Sequence, residues 1–340
     1  MTVQRRRVGI GTERGDAGTS PIRLDLVSNP YGPTEHVGSL LAAGAGNRDP
    51  EHLAAGLHQR ISEFTGLPAR QLLLTGRIDD LVAGWLAQVP SNAPVILFPP
   101  GVGPFSIGAA RRVVDVHRGE GFQPDLDAET ASELPPGGIA LLQSPHDPSG
   151  ALAPAADVVR LARACSLVIL DQRHGGYTQR SLGALAREFD NVVVLDTLET
   201  WGGLEGFPIG WATGSPATLE LLGGTGVPAS GSLLAGLAVF EDLRNVLGAA
   251  RRVRDERSRL FRMLRKLNLV QPEPSWANFL LVRVMRGERD DIVAGLAQRG
   301  ILVHAPMEPG MERFIRISAG MPEHTDALRR ALVEIAIGIE

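Results

Sequence analysis

Residues able to move protons or grip a carboxylate fall in three short segments, each directly behind an apolar run. Segment 144–150 carries His146 and Asp147, segment 171–174 carries Asp171, Arg173 and His174, and segment 196–201 carries Thr200. Histidines and carboxylates gathered around an arginine are the groups that acid–base chemistry on a small amino or keto acid requires. The same residues show no close metal-ligand spacing, so no metal is expected at His146, Asp147 or His174. Amine chemistry is restricted from the outset. Lys266 is the one lysine among 34 basic Lys and Arg residues, and of these two side chains only the lysine amine forms a Schiff base.

The elements that must position these segments follow from periodicity. Short apolar runs at 72–74, 95–98, 113–116, 139–142, 167–170 and 192–195 alternate with helical patterns. Runs apolar on both faces are strands of a sheet covered on both sides, which predicts a mostly parallel sheet sandwiched by helices. Ligands of such sheets bind beyond the carboxyl ends of the strands, which places segments 75–79, 99–105, 144–150, 171–174 and 196–201 at the site. Apolar residues at helical spacing predict a helix over 51–66, and a long arginine-rich helix over 243–267 leads to a second unit. That unit has strands predicted at 278–284, 301–304 and 314–318, and helices at 290–298 and 324–337. The expected division is a flexible arm over 1–22, a large domain over 23–245, and a small α/β domain over 246–340. The entry segment 23–45 is free to pack on the small domain.

With 340 residues, 44% hydrophobic and 21% charged, the chain can bury two cores. A net charge of −4 without a basic stripe argues against nucleic acid as a partner. The lack of any long apolar run, or of a secretory-type start, argues against a membrane and predicts a cytoplasmic protein. Cys165, the one cysteine, is read as core packing.

Taken in order, these segments resemble the signatures of histidinol-phosphate aminotransferases, members of the fold-type-I pyridoxal-phosphate enzymes. Ser28-Asn29-Pro30-Tyr31-Gly32-Pro33 resembles the family's Asn-Pro-Tyr-Gly-Pro entry segment. Ser144-Pro145-His146-Asp147-Pro148-Ser149-Gly150 resembles its Asn-Pro-Asn-Asn-Pro-Thr-Gly loop. The resemblance puts Asp171 where the family's aspartate pairs with the cofactor's pyridine nitrogen, and Arg316, in Phe314-Ile315-Arg316-Ile317-Ser318, at the substrate-carboxylate arginine. Asn29 and Tyr31 become substrate-side residues. Tyr31 lies in a segment that reaches across the dimer in the family, which implies a homodimer.

Segment 196–210 departs from the pattern. Where the family reads Arg-Thr-Phe-Ser-Lys and then Gly-Leu-Ala-Gly-Leu-Arg-Ile-Gly, this chain places Thr200 at the Schiff-base lysine, Glu199 at a phosphate-contacting serine and Pro208 at a phosphate-binding arginine. The family's Gly-Ser pair at a helix start becomes Arg77-Ile78, and its ring-stacking aromatic becomes Gly108. Asp147 replaces the asparagine beside the cofactor's ring hydroxyl, and His174 the tyrosine sharing that role. These changes predict an Arg77–Glu199 ion pair. They also predict that no cofactor is used, pyridoxal phosphate in particular not being bound covalently. The functional expectation is an enzyme acting on a small carboxylate metabolite of the amino- or keto-acid type, with Asp171, His174 and Asp147 as acid–base groups and Arg316 as the carboxylate grip. A non-catalytic subunit beside an active paralogue, and an enzyme with noncovalently bound pyridoxal or pyridoxamine phosphate, are the alternatives.

Overall fold

The computed structural model describes residues 21–43, 49–101, 112–116, 118–124, 126–178 and 180–338. The expected arm is therefore outside the described residues except at its end, and Gly108 is outside them altogether. Strands in chain order are β1 Ile22–Leu24, β2 Leu72–Thr75, β3 Val95–Leu97, β4 Val113–Asp115, β5 Ile139–Gln143, β6 Leu167–Asp171, β7 Val192–Thr197, β8 Gly210–Thr213, β9 Val270–Pro272, β10 Phe279–Val284, β11 Ile301–Val303 and β12 Phe314–Ser318.

Seven of them form one sheet in the order β2-β8-β7-β6-β5-β3-β4. All neighbours pair in parallel except β8, which runs antiparallel to β2 and β7. Both faces are dry. Leu141, Ile169 and Val193 point into one apolar cluster and Leu142, Val168 and Val194 into another, as the alternation of side chains along each strand requires. This is the expected sandwiched sheet. β8 was not predicted, because Gly210-Trp211-Ala212-Thr213 is short, opens on glycine and carries no apolar run.

The helices are α1 Glu35–Ala42, α2 Pro50–Thr65, α3 Ile78–Gln88, α4 Ala128–Ser132, α5 Ala155–Ala164, α6 Leu185–Glu188, α7 Pro216–Leu222, α8 Ser230–Glu241, α9 Leu243–Leu264, α10 Arg289–Gln298 and α11 Pro322–Gly338. Local chemistry sets their ends. For α2, Asp49 accepts from the Glu51 amide, Pro50 occupies the first turn, and Gly66 closes the helix at φ +66°.

Two further sheets lie toward the C-terminus: β12-β10-β9, antiparallel, and β1-β11, parallel. The second ties the start of the described chain to its end, with Leu24 buried among Leu260, Val303 and Ile317. No helix among the described residues is long and apolar enough to cross a membrane.

Candidate active site

β5, β6 and β7 end side by side, and their C-terminal residues begin the site. Gln143 is the last residue of an otherwise apolar strand, and it links two loops. Its Nε2 donates to Asp171 Oδ2 at 3.1 Å, while its Oε1 accepts from the Asp147 amide at 2.8 Å. Asp171 is fully buried and also accepts from the Arg173 amide at 2.9 Å and from Arg173 Nε at 2.7 Å. Burial raises its pKa above the usual carboxylate range against the opposing pull of Arg173. Arg173 continues the network to the start of α3, where its Nη2 meets Asp79 at 2.5 Å.

On the other side Arg316, from β12, holds Asp147. Arg316 Nη1 lies 2.7 and 2.6 Å from the two Asp147 oxygens, and Nη2 donates to the Asp25 carbonyl at 2.9 Å. Burial works against ionisation of Asp147, but the Arg316 charge and hydrogen bonds hold its pKa below the usual value. The guanidinium also lies over the Phe279 ring at 5.3 Å. Charged and polar groups thus run continuously from Arg316 through Asp147, Gln143, Asp171 and Arg173 to Asp79.

His174 sits beside this chain and is nearly inaccessible, its ring edge-on to Phe279 with centroids 5.3 Å apart. Neither ring nitrogen has a hydrogen-bond partner. Burial pushes its pKa down to about 3, with Arg173 and Arg316 acting in the same direction and Asp147 against. It is a neutral imidazole with two unused nitrogens. His146 differs. Its Nδ1 and Nε2 lie 2.7 Å from Ser149 Oγ and from the Pro100 carbonyl, so both nitrogens serve the loop's own shape.

Thr200 is buried and donates through Oγ1 to the Arg173 carbonyl at 2.5 Å, while its own carbonyl accepts from Tyr177 at 2.9 Å. Glu199 and Arg77 form the expected ion pair, at 3.7 Å. Arg77 is half exposed, and burial leaves Glu199 with a raised pKa that Arg77 only partly offsets. Ile78 is buried where a side chain at Gly210 would strike it, 2.5 Å away, and Pro208 turns its carbonyl toward Gly76. Asn29 acts through its side chain, which donates to the Trp201 carbonyl and accepts from the Tyr31 amide. Tyr31 lies away from the network, its ring under Arg252 at 4.1 Å. Asp171, Arg173, Asp147 and Arg316 are therefore brought together, His174 lies against them, and Tyr31 does not. Sequence reasoning missed Gln143 and the pairing of Asp79 with Arg173. A polar residue ending a buried strand was the available signal for Gln143.

The α/β sandwich with a site across the strand ends is the architecture of class I and II aminotransferases. The family model described as aminotransferase class I and II matches residues 52–335, and the chain belongs to that family. It is similar to the histidinol-phosphate aminotransferase of Roseiflexus castenholzii, 32% identical over 97% of this chain and 92% of that one. The histidinol-phosphate aminotransferase of Dehalococcoides mccartyi (strain ATCC BAA-2266 / KCTC 15142 / 195) is 26% identical over 92% and 90%. The fold is shared with the histidinol-phosphate aminotransferase of Sinorhizobium meliloti in complex with pyridoxal-5'-phosphate. There the TM-score is 0.81 and the identity 24%, covering 95% of this chain and 93% of that one.

That complex overturns the expectation that no cofactor is used: the fold carries pyridoxal phosphate in a protein of the same family. One buried carboxylate of this site suits such a group. Asp171 offers a buried carboxylate where a pyridine nitrogen would be met. Thr200 presents a hydroxyl, and that hydroxyl is engaged with the Arg173 carbonyl. Lys266 lies past α9, lining a separate groove with Arg262, Asp326 and Val333. At the start of α3 the acids Asp79 and Asp80 occupy the first turn, which the helix dipole favours, and Arg77 is the cation beside them. No group of three His, Cys, Asp or Glu residues close enough to hold a metal occurs among the described residues.

Proposed function

We propose that this aminotransferase-family protein grips a small amino- or keto-acid-type carboxylate at Arg316 and does not work through a lysine Schiff base. The observation that carries the reading is the side chain at position 200. Thr200 is short, buried and bound to the Arg173 carbonyl, and the single lysine of the chain lines another groove. A hydroxyl can neither form an imine nor, as an amine would, shuttle the proton next to the substrate carboxylate. A pyridoxal-type cofactor would be held here without a covalent link, with Asp171 toward its ring nitrogen. When bound, such a group supplies an electron sink for charge developing at the substrate.

The chain's own residues do the rest. Arg316 already carries a carboxylate, that of Asp147, so a ligand carboxylate binds by exchange. As the ligand takes Arg316 Nη1, Asp147 gives it up and keeps its backbone bond to Gln143. His174, a buried neutral imidazole whose two nitrogens make no hydrogen bond, lies beside this point, able to donate from one nitrogen and accept at the other as the ligand is oriented. Further parts of the reading are a cytoplasmic homodimer that handles a small metabolite rather than nucleic acid or membrane, and a boundary between large and small domains near residue 245.

Calorimetric titration with acetate, pyruvate and alanine tests the exchange. Asp147→Asn, which removes the internal competitor, is expected to raise affinity for carboxylates about tenfold, and Arg316→Gln to abolish binding. Unchanged affinity in both variants would remove Arg316 from the site.

A further inference from the structure

Asp196, next to last in β7, lies on the sheet face away from the Arg316 network and lines a cavity of about 540 Å³. The floor is the sheet itself, with Val194 and Asp196 of β7 facing Thr213 and Trp211 of β8. Phe64 at the end of α2, the turn Gly175–Tyr177 and Arg254 of α9 complete the walls and rim. The turn closes tightly because Gly176 has no side chain: a Cβ there would lie 2.1 Å from the Trp201 ring.

The chemistry of the lining is uneven. At the inner end is the Asp196 carboxylate, which accepts from the adjacent Thr197 amide at 2.8 Å. Burial pushes its pKa up to about 7, with Asp171 raising it further and the Thr197 amide and nearby Trp201 indole opposing. The Trp201 indole N–H, deeply buried, lies toward the Asp196 carboxylate without closing a well-formed hydrogen bond to it. Phe64 stacks on Trp201 with centroids 6.0 Å apart, so one wall is a flat aromatic surface. Two guanidiniums line the same cavity. Arg187 donates to the Gly66 carbonyl, whereas the half-buried Arg254 has no ion-pair partner among the described residues. The volume is that of a small-molecule site, with convergent polar groups on an apolar frame.

We propose that this cavity binds a small planar aromatic molecule with a hydrogen-bond-donating nitrogen at one end, met by Asp196, and an anionic group at the other, met by Arg254. The aromatic walls take the ring by stacking. This site is separate from the one at Arg316 and does not depend on the reading given for it.

Calorimetry with three probes dissects the proposal: 4-aminobenzoate carries both ends, aniline the donor alone and benzoate the anion alone. Arg254→Gln is expected to weaken 4-aminobenzoate and benzoate about tenfold and to leave aniline unchanged. Asp196→Ala is expected to weaken 4-aminobenzoate and aniline and spare benzoate. Arg316→Gln, which removes the other carboxylate site, leaves 4-aminobenzoate affinity intact. The proposal is overturned if 4-aminobenzoate does not saturate, or if Arg254→Gln leaves its affinity unchanged. The second outcome describes an apolar cleft that takes any aromatic. Because Arg254 is half-buried on a helix, that variant decides the matter even if Asp196→Ala fails to fold.

Discussion

His174 shows how burial alone sets a residue's behaviour. Its nitrogens have no partner, and its pKa lies near 3 against an ordinary 6.5, so between those values the unfolded chain takes up a proton that the folded chain refuses. The stability tied to His174 is therefore present above about pH 6.5 and is lost as pH falls toward 3. Replacing it by phenylalanine keeps a ring against Phe279 and removes two unpaired buried nitrogens. At pH 7 the variant should match the wild type within about 1 kcal/mol. At pH 5 it should be the more stable of the two in urea denaturation. An unchanged dependence on pH would show that the imidazole is hydrated in the folded protein. Each of Asp171, His174, Thr200 and Arg316 was named from sequence, because each follows an apolar run or sits in a recognisable segment. What Arg316 holds was not legible: Asp147 is 169 residues away, and their contact exists only because β12 docks on the loop after β5.

At the level of elements, one approach between two segments near the site depends on the absence of a side chain. Gly203 has φ +70°, and a Cβ there would fall 2.5 Å from the Gly32 carbonyl, at the place where Asn29 bonds to Trp201. Gly203→Ala should destabilise by more than about 2 kcal/mol, through both strain and the forced separation of the two segments. Gly206→Ala, with open space around it, is the matched control. Equal denaturation midpoints for the two variants would mean that the segments do not rely on this close approach. The parallel strands were legible because a strand buried on both faces is apolar throughout. β1, β8 and β9 were not, since Arg23, Gly210 and Gln271 with Pro272 leave none of the three with an apolar run to read.

For the whole molecule, the β1-β11 pairing joins the first described strand to the C-terminal sheets, and Asn278 fastens the same segment by donating to the Val27 and Ser28 carbonyls. Leu24 is 1% exposed in that junction. Leu24→Ala should cost about 2 to 5 kcal/mol, read as a shift of the whole denaturation curve if the chain unfolds as one unit. An early partial transition would instead show that the junction opens by itself. Family membership was legible from the order of the segments. Cofactor use was not, because the residue types in one segment do not determine what a fold carries, and the S. meliloti complex corrected that expectation.

The most direct test of the account is borohydride reduction of the protein loaded with one equivalent of pyridoxal phosphate, followed by peptide mass mapping. The account predicts no stoichiometric pyridoxyl adduct on any side chain, and a new adduct at position 200 in Thr200→Lys. A stoichiometric adduct on Lys266 of the wild type would contradict it, because the single lysine would then reach the site after all.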